Sequence, residues 1–330
     1  MIRTRLCDLL NIEYPVILAP MGDYPSAELV AAVGNAGGLG IFAATYISVD
    51  EQQAIVERIG QSTEAPFGIN HLLAYTDEER YAASLNMRPS VISTSWPRAD
   101  QDIRIYIARA HAVGAIVMHM VQGVEQAELA VDAGADVIVA QGCDGGSHIG
   151  SVGTLALVPQ VVQAVAPVPV VAAGGIGDGS GLVAALALGA DGVSMGTRFL
   201  ATKESPAPPS YKRAIVASGG NDTIVTAIPD DARGVVWPNG MPRVRRNALV
   251  DRWLNQTDEL RRVRADVQAG ISASERADDP DGYWLKMGQG AGLIRDIPAA
   301  AEVVTRVITE GGAIIRGRLF DSIRTSSSGK

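Results

Sequence analysis

Residues 134–140 read Gly-Ala-Asp-Val-Ile-Val-Ala, and the pattern returns at 189–195 as Gly-Ala-Asp-Gly-Val-Ser-Met. In both, the glycine suits the left-handed turn that stops a helix, and the run after Asp has the unbroken apolar character of a strand buried on both faces. Between them lies a third such run, 168–173, Val-Pro-Val-Val-Ala-Ala. Strands of this kind, joined by helices rather than tight turns, run parallel. The same helix-ending glycine recurs at Ala36-Gly37 and Val113-Gly114. By the same criteria, strands are expected at 16–19, 39–43, 67–69, 91–93, 115–120, 137–140, 170–173 and 192–195. Helical apolar spacing marks 27–36, 49–59, 103–112, 124–133, 157–165 and 182–188. Eight parallel strands alternating with helices predict an α/β fold, a TIM (β/α)8 barrel. The competing doubly wound sheet lacks a Gly-x-Gly-x-x-Gly after the first strand.

From about Glu204 the rhythm breaks: prolines cluster at 206, 208 and 209, Trp237-Pro-Asn-Gly240 suggests a turn, and 248–268 is polar and helical. An inserted, mostly helical lid is expected over 204–285, with the barrel made from 1–203 and 286–330 and a closing helix over 297–314. Ser326–Lys330 suggests a disordered tail.

The 330 residues are 47% hydrophobic and 19% charged, with 36 glycines and 17 prolines, the balance of a many-looped globule rather than a disordered chain. A formal charge of −8 and no run of Lys or Arg exclude the electrostatic footprint of a nucleic-acid or anionic-membrane binder. Arg243, Arg245 and Arg246 could meet a phosphorylated substrate, but a solvated or ion-paired role suits them better. Two cysteines without metal-ligand spacing argue against a disulfide scaffold or zinc site, and no stretch reaches the roughly 18 apolar residues of a membrane span. A cytoplasmic, soluble protein is expected.

Barrel chemistry belongs at the C-terminal ends of the strands. The seventh strand runs into Ala173-Gly174-Gly175, and the eighth into Met195-Gly196-Thr197. Glycines at these two places let N–H groups close on an anion and predict a phosphate cradle, although each alone could be a tight turn. After the sixth strand come Gln141 and then Gly145-Gly146-Ser-His148-Ile-Gly150, read as a long exposed loop carrying the imidazole best placed for proton transfer. Asp144 is the alternative base, though capping suits it better. His111 falls in a helix, while His71 and His119 sit at or near strand ends. Asn70 puts an amide at the rim, and Ala19-Pro20-Met21 offers backbone groups and a polarizable side chain to a flat ring, unless Met21 simply packs in the core. Met287-Gly-Gln289-Gly-Ala-Gly292 adds a late glycine loop.

Taken in order with Asn35-Ala-Gly-Gly-Leu-Gly40 and Pro66-Phe-Gly-Ile-Asn70, these motifs resemble the nitronate monooxygenase (2-nitropropane dioxygenase) family, related to enoyl-acyl-carrier-protein reductase II. The resemblance spans most of the chain outside 204–285. It implies a TIM barrel holding FMN noncovalently, with phosphate on Gly174, Gly175, Gly196 and Thr197, Asn70 and Gln289 near the flavin, and His148 as the active-site histidine. Ala19, Pro20, Met21, Gln141, Gly146, Ala173 and Met195 complete the expected cofactor contacts. The implied function is oxidation of alkyl nitronates with O2. The alternative is NAD(P)H-dependent reduction of an enoyl thioester or quinone, and a noncatalytic flavin-binding protein is disfavoured by His148. A homodimer stays open. The chain departs from common members in carrying Trp96 where a small residue is frequent, and in having no lysine in Met118-His-Met120.

Overall fold

The computed structural model describes residues 2–324, so the tail expected at 326–330 lies outside the described residues. The barrel strands are β1 (Val16–Leu18), β2 (Gly40–Ala43), β3 (Phe67–Leu72), β4 (Val91–Ser95), β5 (Ile116–Val121), β6 (Val137–Gln141), β8 (Val170–Ala173) and β9 (Gly192–Met195). A short strand β7 (Ser147–Ile149) follows β6 outside the barrel. All barrel pairings are parallel, in the order β1-β9-β8-β6-β5-β4-β3-β2. A bridge between Ile17 and Leu39 joins the two ends: Leu18 N–H donates to Leu39 O at 2.9 Å, and Leu39 N–H to Val16 O at 3.0 Å. That closure rules out the open sheet.

The apolar runs divide by alternation, as a strand's two-residue period requires. Val137, Val139, Val171 and Ala173 point inward, packing with Ile17, Ile41 and Met118. Ile138, Ala140, Val170 and Ala172 point outward beneath the helices. The N-terminal helix Arg5–Leu10 plugs the barrel floor with Leu6, Cys7 and Leu10. The two Gly-Ala-Asp turns repeat in detail. Gly134 (φ 100°) and Gly189 (φ 93°) cap helices, then Asp136 and Asp191 accept from Val117 N–H (2.7 Å) and Val170 N–H (3.1 Å) on the neighbouring strands. The glycine thus ends the helix, and the carboxylate two residues on fixes the register of the strand.

After β9 the chain builds a second hydrophobic core, running from Leu200 through Tyr211, Trp253 and Leu285 to Ile294. Its elements include helices Pro209–Ala217, Ile228–Arg233 and Arg264–Arg276, but also strands β10 (Thr223–Val225) and β11 (Met241–Arg245). The latter pairs antiparallel with β7, setting Pro242 opposite His148. The polar stretch 248–268 is broken among three helices, and the closing helix begins at Ala300 rather than at 297. No helix among the described residues is long and apolar enough to cross a membrane.

Candidate active site

A cleft opens at the C-terminal ends of the strands, with about 1520 Å³ of space counting its open mouth. Its floor is apolar, made by Ile17, Ile41, Met118 and Val139. Ala19, Pro20 and Met21 wall one side, and Asn70 and Gln141 stand at strand ends facing in. Asn70 donates its amide N–H groups to Ser93 (3.1 Å to Oγ), while Gln141 accepts from Gln122 at 3.2 Å. Asn70 therefore keeps an acceptor, and Gln141 its donors, for a planar ring edge.

Gly146, Ala173, Gly174, Gly175, Gly196 and Thr197 line the same cleft. Gly174 and Gly175 hold φ of 102° and 73°, a left-handed pair that turns the chain sharply off β8. Among the described residues, the N–H groups of Gly175 and Gly196 make no hydrogen bond. Thr197 Oγ1 accepts from Gly288 N–H at 3.0 Å, so the returning late loop is fastened to the cradle. A Cβ on Gly146 would stand 2.6 Å from Gly288 N, so the two glycine loops touch backbone to backbone. Free N–H groups at one end, amide edges in the middle and an apolar floor suit an elongated cofactor with an anionic tail and a flat head.

Two expected contacts lie elsewhere. Met195 is buried in the barrel wall, where its carbonyl accepts from Ala19 N–H at 3.0 Å. Gln289 is exposed on a neighbouring shallow cleft with Asp144 and Leu293, and only its flanking Gly288 and Gly290 reach the main cavity.

His148 corrects the picture of an exposed loop. It lies in β7, is 6% exposed, and shares Nε2 with both oxygens of Asp230 at 3.0 and 3.1 Å. Trp237 lies flat against it, ring centroids 3.4 Å apart and planes within 5°. Burial pulls the imidazole below its ordinary value, and the hydrogen bond and charge of Asp230 oppose that pull. When Nε2–H donates to the carboxylate, the other nitrogen carries the lone pair, so the site holds a neutral, oriented base. The Trp237 segment is latched by Tyr75 Oη, which donates to Val236 O at 2.6 Å. Among the described residues, buried Ser95 Oγ and Trp237 Nε1 line the cleft without a partner, orphaned polar atoms that a ligand would satisfy.

The remaining candidates settle into structural work. Asp144 accepts from Thr154 N–H at 2.7 Å, pinning the loop to the next helix. Arg243 is buried and donates to Cys143 O and Thr223 Oγ1. His71 contacts Ser84, His119 contacts Thr94 and His111 contacts Asp136, all outside the cleft.

Sequence reasoning missed Asp230, Lys286 and Asp23, which also line or adjoin this cavity. Lys286 Nζ meets Asp23 Oδ2 at 2.6 Å, and both line the cleft.

The nitronate monooxygenase family model matches residues 3–310. The chain belongs to the nitronate monooxygenase family. Membership makes it an enzyme, an oxidoreductase of a flavin-using family. Among curated relatives it is 40% identical to the (3aS,4S,5R,7aS)-5-hydroxy-7a-methyl-1-oxo-octahydro-1H-indene-4-carboxyl-CoA dehydrogenase of Mycobacterium tuberculosis, over 94% of this chain and 96% of that protein. It is 34% identical to a probable nitronate monooxygenase of Staphylococcus saprophyticus, over 94% and 98%. Among solved structures, FabK from Thermotoga maritima superposes with a TM-score of 0.85 at 31% identity, covering 96% of this chain and 98% of that one.

Proposed function

We propose that this nitronate monooxygenase family member uses FMN to exchange hydrogen with an acyl thioester, desaturating it α,β to the carbonyl or, in reverse, reducing an enoyl thioester with NAD(P)H. The observation that carries this reading is the buried His148–Asp230 pair. A nitronate has already lost its acidic proton, whereas a thioester α C–H gives one up only to a positioned base. His148 would take that proton, and the α C–H electron pair, delocalised onto the carbonyl oxygen, would form the Cα=Cβ bond as the β hydrogen leaves with its own pair as hydride, so the substrate loses two hydrogens and two electrons. FMN supplies the two-electron acceptor. Gly174, Gly175, Gly196 and Thr197 would hold its phosphate, Asn70 and Gln141 its ring edge, and Ala19-Pro20-Met21 its flank. Segment 204–285 acts as the lid that brings Asp230 and Trp237 over the substrate. The 40% identical relative named as a dehydrogenase of a carboxyl-CoA supports the thioester.

Nitronate oxidation with O2 stands second, favoured by the family model's description and the staphylococcal relatives. The discriminating experiment is anaerobic: purified yellow protein is mixed in turn with cyclohexanecarboxyl-CoA, butyryl-CoA, NADH, NADPH and propane-2-nitronate while flavin absorbance is followed. Bleaching by a thioester or pyridine nucleotide supports the proposal. Bleaching by the nitronate alone overturns it. A purified protein that neither contains nor binds FMN defeats both readings.

A further inference from the structure

Either reading leaves negative charge on a substrate oxygen, the carbonyl oxygen of a thioester losing its α proton or the paired oxygens of a nitronate. His148 can hold a proton but cannot by itself stabilise that oxygen. Two cations line the cleft, Arg233 and Lys286, and the lysine is the more deeply set, its side chain 15% exposed against 40% for the arginine. Lys286 lies on the stretch returning from the second core. Its ammonium carries three donors, and the one hydrogen bond found for it goes to Asp23 Oδ2. Tyr211 Oη donates to the Lys286 carbonyl at 2.7 Å, fixing the backbone from which the side chain projects. Asp23 sits on the loop after β1 and also faces Arg233, 4.0 Å away.

A lysine seldom lies so deep without a task, since an apolar side chain would serve packing as well and spare the desolvation. Asp23, Arg233 and His148 line the same cleft as Lys286, and Asp230 stands on His148, so Lys286 belongs to the substrate side of the cleft. Two carboxylates and two cations among these groups cancel, leaving a site with neutral histidine that is uncharged overall and ready to take an anion as His148 gains its proton.

We propose that Lys286 is a catalytic residue that receives the substrate's developing oxyanion, and that Asp23 is a positioning residue holding the ammonium in place. This rests on the reading of the cleft as the substrate site, though not on which substrate fills it.

The test separates charge recognition from turnover. Isobutyrate and isobutyramide have nearly the same shape and differ in charge, and neither has the acidified α C–H of a thioester; their dissociation constants are read from perturbation of the flavin spectrum. Wild type should bind isobutyrate at least tenfold more tightly. Lys286→Met should abolish that preference and lower kcat roughly a hundredfold, the scale of removing one oxyanion donor. Asp23→Asn, which leaves the ammonium uncompensated, should raise the preference while lowering kcat. The double variant Lys286→Met/Asp23→Asn, which removes both charges of the ion pair, serves if the single lysine variant fails to fold, and its preference should be at least tenfold below that of Asp23→Asn, which keeps the lysine. An unchanged ratio in either lysine variant overturns the proposal, and weakened flavin retention with an unchanged ratio assigns Lys286 to the cofactor instead. Loss of preference in a protein that oxidises no thioester would leave Lys286 in place and remove the thioester.

Discussion

At the scale of single residues, His148 is defined by its surroundings. Asp230 orients the ring, Trp237 covers one face, and burial holds the imidazole below its ordinary value. His148→Ala should retain flavin and lose turnover by roughly 10²–10⁴-fold, the usual worth of a positioned base, measured as kcat at saturating substrate. The pH dependence has a definite sign. A base works in its neutral form, so kcat/KM falls on the acid side as the imidazole protonates. Asp230 raises that value, so Asp230→Asn should move the acid limb to lower pH while reducing the plateau. A limb shifted upward would contradict the pairing. His148 could be read from the sequence because glycines isolate it just after a strand. Its partner could not: Asp230 lies 82 residues away in a polar stretch with no spacing signal, and only the pairing of β7 with β11 brings that stretch near. Lys286 directly precedes the glycine loop at 287–292, but a lone lysine carries no spacing signal of its own.

At the scale of elements, the eight barrel strands were legible because burial on both faces demands unbroken apolar runs, and the cap glycines punctuate them. Strand β7 was not legible, since three residues among glycines carry no period and pair only with a distant strand. Met195 misled for a related reason: the glycine after it faces the cleft while the alternation of β9 turns Met195 into the wall. The contact between glycine loops gives a sharp prediction. Gly146→Ala would force a Cβ to within 2.6 Å of Gly288 N, so the late loop must move off the cradle. The variant should fold with a lowered melting temperature and purify largely without flavin, read from the ratio of visible to ultraviolet absorbance. Gly114→Ala meets no neighbour within 4 Å and should keep its flavin, with only the strained φ of 83° to lower its stability.

At the scale of the molecule, two cores share one cleft, and their stability responds to protons and ligand together. Burial holds His71 at about 3 and His119 at about 4, against an ordinary 6.5. The unfolded chain therefore binds more protons than the folded one between those values and 6.5. Their contribution is complete above about 6.5 and is lost as pH falls through that window. Urea midpoints should drop accordingly, and His119→Gln should flatten the drop, whatever its effect at neutral pH. FMN binding should act in the other direction: flavin-stripped protein given FMN at about a hundred times its dissociation constant gains about 2.7 kcal/mol, visible as a higher melting temperature.

The fastening of Gly288 to Thr197 has a consequence in the order of synthesis. A ribosome releases every barrel strand by residue 195, yet the glycine that seals the cradle, the lysine in the cleft wall and the carboxylate behind His148 are all made later. A nascent chain halted anywhere in 204–285 would own strands enough for a barrel but lack the closure that retains a cofactor. Flavin loading would then wait for residue 288, and chains truncated within 204–285 should purify without it.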